Sequence, residues 1–318
     1  MRLFVNAIRA INIATEVCNI TKCSKLYIPY FFIDCIVSRF VYGASPESYM
    51  NLEFYNKKRW SKNKFLTDGR HRHIDGYFNE KSGIETLLNK NKFLLEYKEF
   101  IKRDYILVNK DTSKELLNVF ISKHEKCIIK PLTSCCGQGV SKINSSEIIN
   151  YMNGGNLLAE EVIENCSYLK ALNPSSLNTI RIVTCKDKNN NIHIMAIVLR
   201  VGVAGQSIDN YCGGGVAYHV NIEEGIVDCP GQDVKGKVYI RHPSTNTMMI
   251  GFKIPRFKEL IDYIMVVANH KNNVRYVGWD VAMTENGFEL IEGNNCPDPN
   301  IMQVFTHKGL FDEVLSYI

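Results

Sequence analysis

The stretch that most constrains this chain is a strand, turn, strand near its C-terminus, residues 276–294, reading Tyr-Val-Gly-Trp-Asp-Val-Ala-Met-Thr-Glu-Asn-Gly-Phe-Glu-Leu-Ile-Glu-Gly-Asn. Both arms are apolar and rich in β-formers, and Asn286-Gly287 between them signals a hairpin. Turn length decides which side chains share a face, because side chains alternate along a strand. A two-residue turn centred on Asn286-Gly287 pairs Val281 with Glu292 and sends Asp280 to the opposite face. A three-residue loop over 285–287, with Gly287 left-handed, pairs Thr284 with Phe288, Ala282 with Leu290 and Asp280 with Glu292. We take the second register. It gathers Asp280, Glu292 and Asn294 on one face and turns Val277, Trp279, Val281 and Ile291 into a core. Hard oxygen ligands of this kind suit magnesium, which keeps waters and recruits phosphate oxygens. The competing reading is a half-exposed hairpin with solvated acids.

At 318 residues the chain exceeds the usual single-domain size, so two or three subdomains sharing a cleft are expected. With 45% hydrophobic and 22% charged residues, disorder is excluded as a general description. A net charge of +5 is mild, and the basic residues are scattered apart from Lys57-Lys58-Arg59 with Lys62 and Lys64, and Arg70-His71-Arg72-His73. Nucleic acid is therefore not expected as a partner; anionic sugars, phosphates or a membrane surface fit these clusters. Eleven cysteines without zinc-ligand spacing read as reduced thiols of a cytoplasmic protein. Cys135-Cys136 sits in a glycine-rich loop that needs small residues, and a vicinal disulfide there would be strained.

Residues 1–18 read as an amphipathic helix and not a signal peptide, with a surface-lying membrane helix as the alternative if the substrate is lipid-linked. Residues 26–37 are apolar but too short to span a bilayer, and are expected to be buried in protein. Residues 43–83 are rich in Tyr, Phe, Arg and Asn with little periodicity, and predict an irregular N-terminal part. Residues 90–102 alternate at helical spacing, 105–108 form a short strand, and Asp111 or Thr112 caps a helix with Glu115 completing a capping box.

Cys127-Ile-Ile-Lys130-Pro131 is a buried strand followed by Leu-Thr-Ser-Cys-Cys136-Gly137-Gln138-Gly139-Val140. Glycines after a strand let backbone amides approach phosphates, and Lys130 can neutralise phosphate charge. The G-K-[ST] ending of a Walker loop is absent. The run continues into a second strand over 140–143 that carries Lys142, so the loop is either a lid over triphosphate or a plain hairpin. In the strand over 156–163, one of Glu160 and Glu161 must point inward, and a buried carboxylate needs a partner: an adenine amino group, or an internal lysine. Arg181 and Arg200 sit in two apolar strands that form a hairpin, and arginines so placed usually meet an anion. Residues 209–215 form another close-approach loop, and 256–269 form a helix opened by Pro255.

This ordered set resembles the ATP-grasp superfamily: Lys130 with its glycine loop, Glu160-Glu161-Val-Ile163, Arg181, Arg200, and Asp280 with Glu292-Gly-Asn294. Ser176-Leu-Asn-Thr-Ile-Arg181, Gly213-Gly-Gly215, His242-Pro243, Gly278-Trp-Asp280 and Glu292-Gly-Asn294 resemble, more narrowly, the sugar-transfer-associated ATP-grasp family of polysaccharide gene clusters. The resemblance implies an α+β ATP-grasp fold, with two α+β subdomains clamping ATP and an N-terminal helical or irregular subdomain. The divisions expected are 1–111 (N-terminal), 112–163 (small, with the glycine loop) and 164–318 (large, with the metal site). It also implies roles. Lys130 and an earlier lysine would bind ATP phosphates; Lys90 is our choice, with Lys92 and Lys110 open. Cys136, Gly137, Gln138, Gly139 and Lys142 would belong to the nucleotide lid, Glu160 and Glu161 with the Ile163 backbone to the adenine side. Asp280, Glu292 and Asn294 would hold Mg2+, and Arg181 or Arg200 the transferred phosphoryl group. D-alanine ligases of the superfamily carry an arginine two residues before the metal aspartate; Gly278 stands there in this sequence, so the phosphate role falls to the earlier strands.

The function implied is ATP-dependent carboxylate-amine ligation through an acyl phosphate, releasing ADP and phosphate. The partners would be ATP, a sugar or other carboxylate acceptor and an amine or amino acid, in cell-surface polysaccharide synthesis. His219 and His242 are candidate proton acceptors. Phosphoryl transfer to a sugar, and a non-catalytic ATP-binding module, are the alternatives.

Overall fold

The computed structural model describes residues 2–134, 137–203 and 214–318, with side chains given from residue 7 onward. The sequence expectations for Cys136, for the Cys135-Cys136 pair, and for 209–213 with Gly213 lie outside the described residues. Contacts divide the chain into two compact units: Met1–Phe78 with Asp187–Asn191 and Cys296–Ile318, and Asn79–Lys186 with Ile192–Asn295. These divide the chain at other places than 111/112 and 163/164.

The first unit is helical. It holds α1 (Arg2–Ile20), α2 (Ile28–Tyr42), α3 (Pro46–Asn51), α4 (Arg59–Lys62) and α5 (Asp68–Phe78), with a last short helix at Phe311–Ser316. Gly43, at φ 70, ends α2 in the left-handed conformation, with its N–H donating to Ser38 O. Ser45 caps α3, and Pro46 occupies its first turn. Residues 43–83, expected to be irregular, are largely short helices. Their apolar residues, among them Tyr49, Leu52, Phe54 and Phe65, form one core with Ala10, Ala14 and Val17 of α1. Helices this short are held by packing and not by propensity, so they leave no long period in the sequence. Residues 26–37, expected to be buried, are half exposed: Leu26, Tyr27, Tyr30 and Ile33 face solvent. Among the described residues, no helix is long and apolar enough to cross a membrane.

The second unit is α+β, as the sequence implied, and is built on two antiparallel sheets. It contains α6 (Lys81–Leu88), α7 (Lys90–Glu96), β1 (Tyr105–Val108), α8 (Lys114–Lys123), β2 (Lys126–Pro131), β3 (Ser141–Asn144) and β4 (Leu157–Glu161). After α9 (Ser167–Lys170) come β5 (Thr179–Lys186), β6 (Ile192–Val201), β7 (Val216–His219), β8 (Gly231–Gln232) and β9 (Val238–Tyr239). The unit is completed by α10 (Phe257–Asn269), β10 (Tyr276–Thr284) and β11 (Gly287–Asn295). Strand order is β1-β4-β2-β3 in the small sheet and β11-β10-β5-β6-β7-β8-β9 in the large one. Helix α8 is capped by Ser113, whose hydroxyl accepts from Leu116 N, and not by Asp111 or Thr112. Thr112 instead closes the loop before it, donating to Leu107 O.

The large sheet buries Trp279, Val277, Val281, Ile182 and Ile197 with Leu260, Ile264 and Val267 of α10, whose three- and four-residue steps present one apolar face. Trp279 Nε1 donates to Thr184 Oγ1 at 2.9 Å, so its one polar atom is satisfied inside this core. Asn79 acts as an extra rung at the head of β10: its Oδ1 accepts from Arg275 N and Tyr276 N, and its Nδ2 donates to Tyr276 O. Helix α6 approaches the segment leading into this strand so closely that a Cβ on Gly83 would stand 2.3 Å from Asn273 O and 2.7 Å from Val274 Cγ2. A carbonyl in the backbone cannot turn aside as a side chain can. Gly83→Ala is therefore expected to cost about 1–3 kcal/mol of stability, read as a lower urea midpoint at unchanged slope.

Candidate functional site

Strand β10 places Asp280 directly opposite Glu292 of β11, as expected, but by another route. Thr284 pairs with Gly287, so the turn has two residues, Glu285 and Asn286, and the pairs near it are Met283–Phe288, Ala282–Glu289 and Val281–Leu290. A bulge then inserts Ile291 and shifts the register before Asp280. The bulge also corrects the expectation that Ile291 faces the core, for its side chain lines a pocket. Asn294 Nδ2 donates to Glu292 Oε1 at 3.1 Å and reaches Gly278 O at 3.5 Å, so the three expected ligands lie together.

Asp280 is buried, and its partners are the two arginines expected to meet an anion. Arg181, opposite it on β5, donates from Nε to Oδ1 and from Nη2 to Oδ2 at 2.8 Å; Arg200 Nη1 donates to Oδ2 at 2.9 Å. Burial would raise the carboxyl's pKa, but Arg181 and Arg200 overrule it and hold the group well below the usual carboxylate range. The acids of the hairpin are thus compensated by arginine and do not stand as a repulsive pair. Asp280, Arg181, Val198 and His219 are successive cross-strand partners, and opposed residues in antiparallel strands share a face. His219 therefore stands on the face that carries the acids. Its Nδ1 lies 2.7 Å from Asp228 Oδ1. His242 is fixed between Thr245 Oγ1 and Gly202 O, and burial lowers its pKa; this is a structural histidine.

A pocket in the same unit gathers Lys90, Lys130, Ser134, Glu160, Glu292 and Asn294. Lys90 Nζ donates to Ser134 O at 2.7 Å and to its hydroxyl at 3.1 Å, at the start of the glycine loop. Lys92 instead pairs with Glu85 at 3.6 Å, and Lys110 is exposed, which separates the three lysines left open by the sequence. Within the loop Gly137 and Gly139 have φ 71 and 73, and a Cβ on Gly139 would stand 2.8 Å from Pro131 Cγ. Gln138 is exposed.

Lys130, next to last in β2, reaches Glu160 Oε2 at 2.5 Å. Glu160 is the inward member of its pair. It takes an internal lysine, one of the two partners considered, and also an arginine that the sequence did not single out: Arg103 donates to Glu160 Oε1 from Nε at 3.1 Å and from Nη2 at 3.0 Å. Both oxygens are engaged by cations, the lysine contacting Oε2 and the arginine Oε1. Burial would raise the pKa of Glu160, and Arg103 with Lys130 lowers it. Glu161 points the other way and accepts from Asp104 N at 3.0 Å. Lys142 is exposed on β3 and Ile163 half-buried beyond β4; neither lines the pocket.

Arg103 also donates from Nη1 to Glu289 Oε1 at 2.7 Å, and to the Leu290 and Ile291 carbonyls at 2.7 and 3.1 Å. Glu289 accepts as well from Lys102 N and Arg103 N. Arg103, Glu160 and Glu289 are all buried. Lys102-Arg103-Asp104 reads in sequence as a solvated charge run; only Glu160, three residues before Ile163, and Glu289, three before Glu292, are acids in apolar strands that call for a cation.

Two carboxylates and a carboxamide on one face make a donor set that fits Mg2+, with Arg181 and Arg200 occupying part of Asp280 in this state. Residues 151–317 match a family model described as sugar-transfer associated ATP-grasp. No curated protein matches the sequence. Among solved structures, D-alanyl-alanine synthetase A from Vibrio cholerae O1 biovar eltor is 14% identical with a TM-score of 0.45, over 73% of this chain and 63% of that one. D-alanine-D-alanine ligase from Helicobacter pylori is also 14% identical, TM-score 0.44, over 79% and 65%. N5-carboxyaminoimidazole ribonucleotide synthetase from Thermotoga maritima is 11% identical, TM-score 0.42, over 71% of this chain and 48% of that one. The chain thus spans about half the length of that synthetase.

Two variants test the charge arrangement. Asp280→Asn leaves two mostly buried arginines without their anion and is expected to destabilise the metal-free protein by about 3–5 kcal/mol, measured by urea unfolding. A repulsive acid pair would give the opposite sign, a gain. Arg103→Met should cost a similar amount, roughly 3–5 kcal/mol at pH 7. The lowered pKa of Glu160 means its contribution is present above the ordinary glutamate range and lost as pH falls through the folded value. The gap between wild type and Arg103→Met should accordingly narrow in acid.

Proposed function

The chain belongs to the sugar-transfer associated ATP-grasp family, and on that premise we propose that it is an ATP-dependent carboxylate-amine ligase. Its acceptor would be a sugar carboxylate or related acid and its nucleophile an amine or amino acid, in the synthesis of a cell-surface polysaccharide. It would act in the cytoplasm, peripheral to the membrane where the acceptor is lipid-linked. The proposal extends to the subdomain division, with 112–163 as a lid over 164–318 and 1–111 as the N-terminal part.

The observation that carries this reading is the meeting of Lys90, Lys130, Glu292 and Asn294 in one pocket, on a sheet face that also presents Asp280, Arg181 and Arg200. A carboxylate is a poor electrophile. Transfer of the γ-phosphoryl group of ATP to its oxygen breaks the terminal P–O bond, releases ADP and leaves an acyl phosphate. An amine attacks the acyl carbon, phosphate departs with the C–O bond electrons, and the amide remains. Both steps concentrate negative charge on oxygens, so positioned cations are the catalysis and no covalent nucleophile on the protein is needed. Lys90 and Lys130 hold the nucleotide phosphates from the lid side. Arg181 and Arg200 stand where the transferred group passes, held in place by Asp280 until phosphate oxygens compete for them. Asp280, Glu292 and the Asn294 carboxamide would hold Mg2+, which would supply further charge neutralisation for the phosphate oxygens. His219, whose Nδ1 meets Asp228, would take the proton the amine loses.

Lys130 cannot be removed silently, since Glu160 would lose one of its two cations; Lys90, whose ammonium donates to the carbonyl and hydroxyl of Ser134 in the loop, is the cleaner probe. Lys90→Met should weaken ATP binding by about tenfold or more, the worth of one charge-assisted contact, with little change in melting temperature. In turnover, ADP and phosphate should appear when acid and amine are both supplied, and slowly with the acid alone. AMP and pyrophosphate would replace ligation by adenylation, and a stable sugar phosphate would replace it by phosphoryl transfer.

A further inference from the structure

Helix α2 has one buried side and one bare side. Phe31, Cys35, Ser38 and Tyr42 turn inward. On the other side Tyr30, Ile33, Phe40 and Val41 are 60%, 60%, 79% and 59% exposed, and Leu26 at 86% extends the stripe beyond the helix start. At about 100° per residue, these four and Val37 share a sector roughly 100° wide, which contains no charged side chain. Asp34, at its margin, is turned to Lys62 and to the Tyr49 hydroxyl. A soluble monomer seldom leaves so continuous an apolar strip uncovered.

What surrounds the strip identifies its partner. Exposed Lys22 and Lys25 stand in the chain just before it. At the far end the Tyr42 hydroxyl, on the inward side of the helix, donates to Arg59 O at 3.2 Å, which ties the segment carrying exposed Lys58, Arg59, Trp60 and Lys64 to that end of α2. Both ends are therefore cationic, with aromatic rings at each: Tyr27 before, Trp60 after. A second copy seated strip on strip would bring like charges together at both ends in either orientation. An apolar centre, aromatic margins and cationic ends match acyl chains, interface and phosphate headgroups in turn.

We propose that this face of α2 is a docking surface for an anionic lipid bilayer, with the helix lying in the plane of the surface. Ile33 and Phe40 enter the acyl boundary, and the flanking lysines and arginines meet lipid phosphates. This places on α2, and not on α1, the membrane association offered above; it deepens that part of the reading and is independent of the ligation chemistry. The test is co-sedimentation of the full chain with vesicles of phosphatidylcholine alone and of phosphatidylcholine with phosphatidylglycerol, with ATP-binding measured on the same preparations. Wild type should pellet with the anionic vesicles, and less so at high salt. The double variant Ile33→Glu, Phe40→Glu, altered only at exposed positions, should lose vesicle affinity by about tenfold or more while keeping its ATP affinity and melting temperature. Wild type remaining in solution with both vesicles, or the variant binding as well as wild type, would overturn the proposal. So would a wild-type dimer that the variant converts to monomer without any difference in vesicle binding. Because ATP affinity is read separately, loss of the ligase reading would leave this result standing, and the reverse.

Discussion

Arg103 is the interaction on which the pocket beside Lys90 and Lys130 depends. It is one buried guanidinium shared by Glu160 of β4 in the small sheet and Glu289 of β11 in the large one. A guanidinium is planar and always charged, and offers five donors in fixed directions. Three of its links go to these carboxylates and fix the relative positions of the two strands, and two go to the carbonyls at the bulge that sets Asp280 against Glu292. The pocket that holds Lys130, Glu160 and Glu292 lies between the elements so joined.

The site follows one rule of charge: each buried acid is matched by cations before any ligand arrives. Lys130 and Arg103 serve Glu160, Arg103 serves Glu289, and Arg181 with Arg200 serves Asp280. Burying an unpaired carboxylate would cost several kcal/mol, so such pairing is what allows the acids to be stored in a dry sheet at all. The same pairing stocks the pocket with the positive groups that a polyphosphate needs.

The sequence made much of this legible, and the places where it did not are physically specific. Strand existence, the inward turn of one of Glu160 and Glu161 and the anion awaiting Arg181 and Arg200 all follow from alternation and from the cost of buried charge. Arg103 was missed because its neighbours Lys102 and Asp104 make a charged triplet, and nothing local distinguishes a solvated run from one whose middle member is swallowed by a sheet. The α2 face was misjudged for the converse reason: an apolar run announces that something covers it, but not whether protein does. The short helices of the first unit left no period because aromatic packing, and not repeat, holds them.

The bulge at Ile291 makes the two acids indifferent to how the hairpin is closed. A two-residue turn with the extra residue and a three-residue turn without it bring Asp280 and Glu292 to the same opposition. An insertion of one residue in the turn can therefore be absorbed by straightening the strand, and a deletion by forming the bulge again. Over evolutionary drift, the tip of the hairpin is free to change length while the pair at its base stays in step, so a site that looks dependent on exact spacing is buffered against the commonest kind of loop mutation.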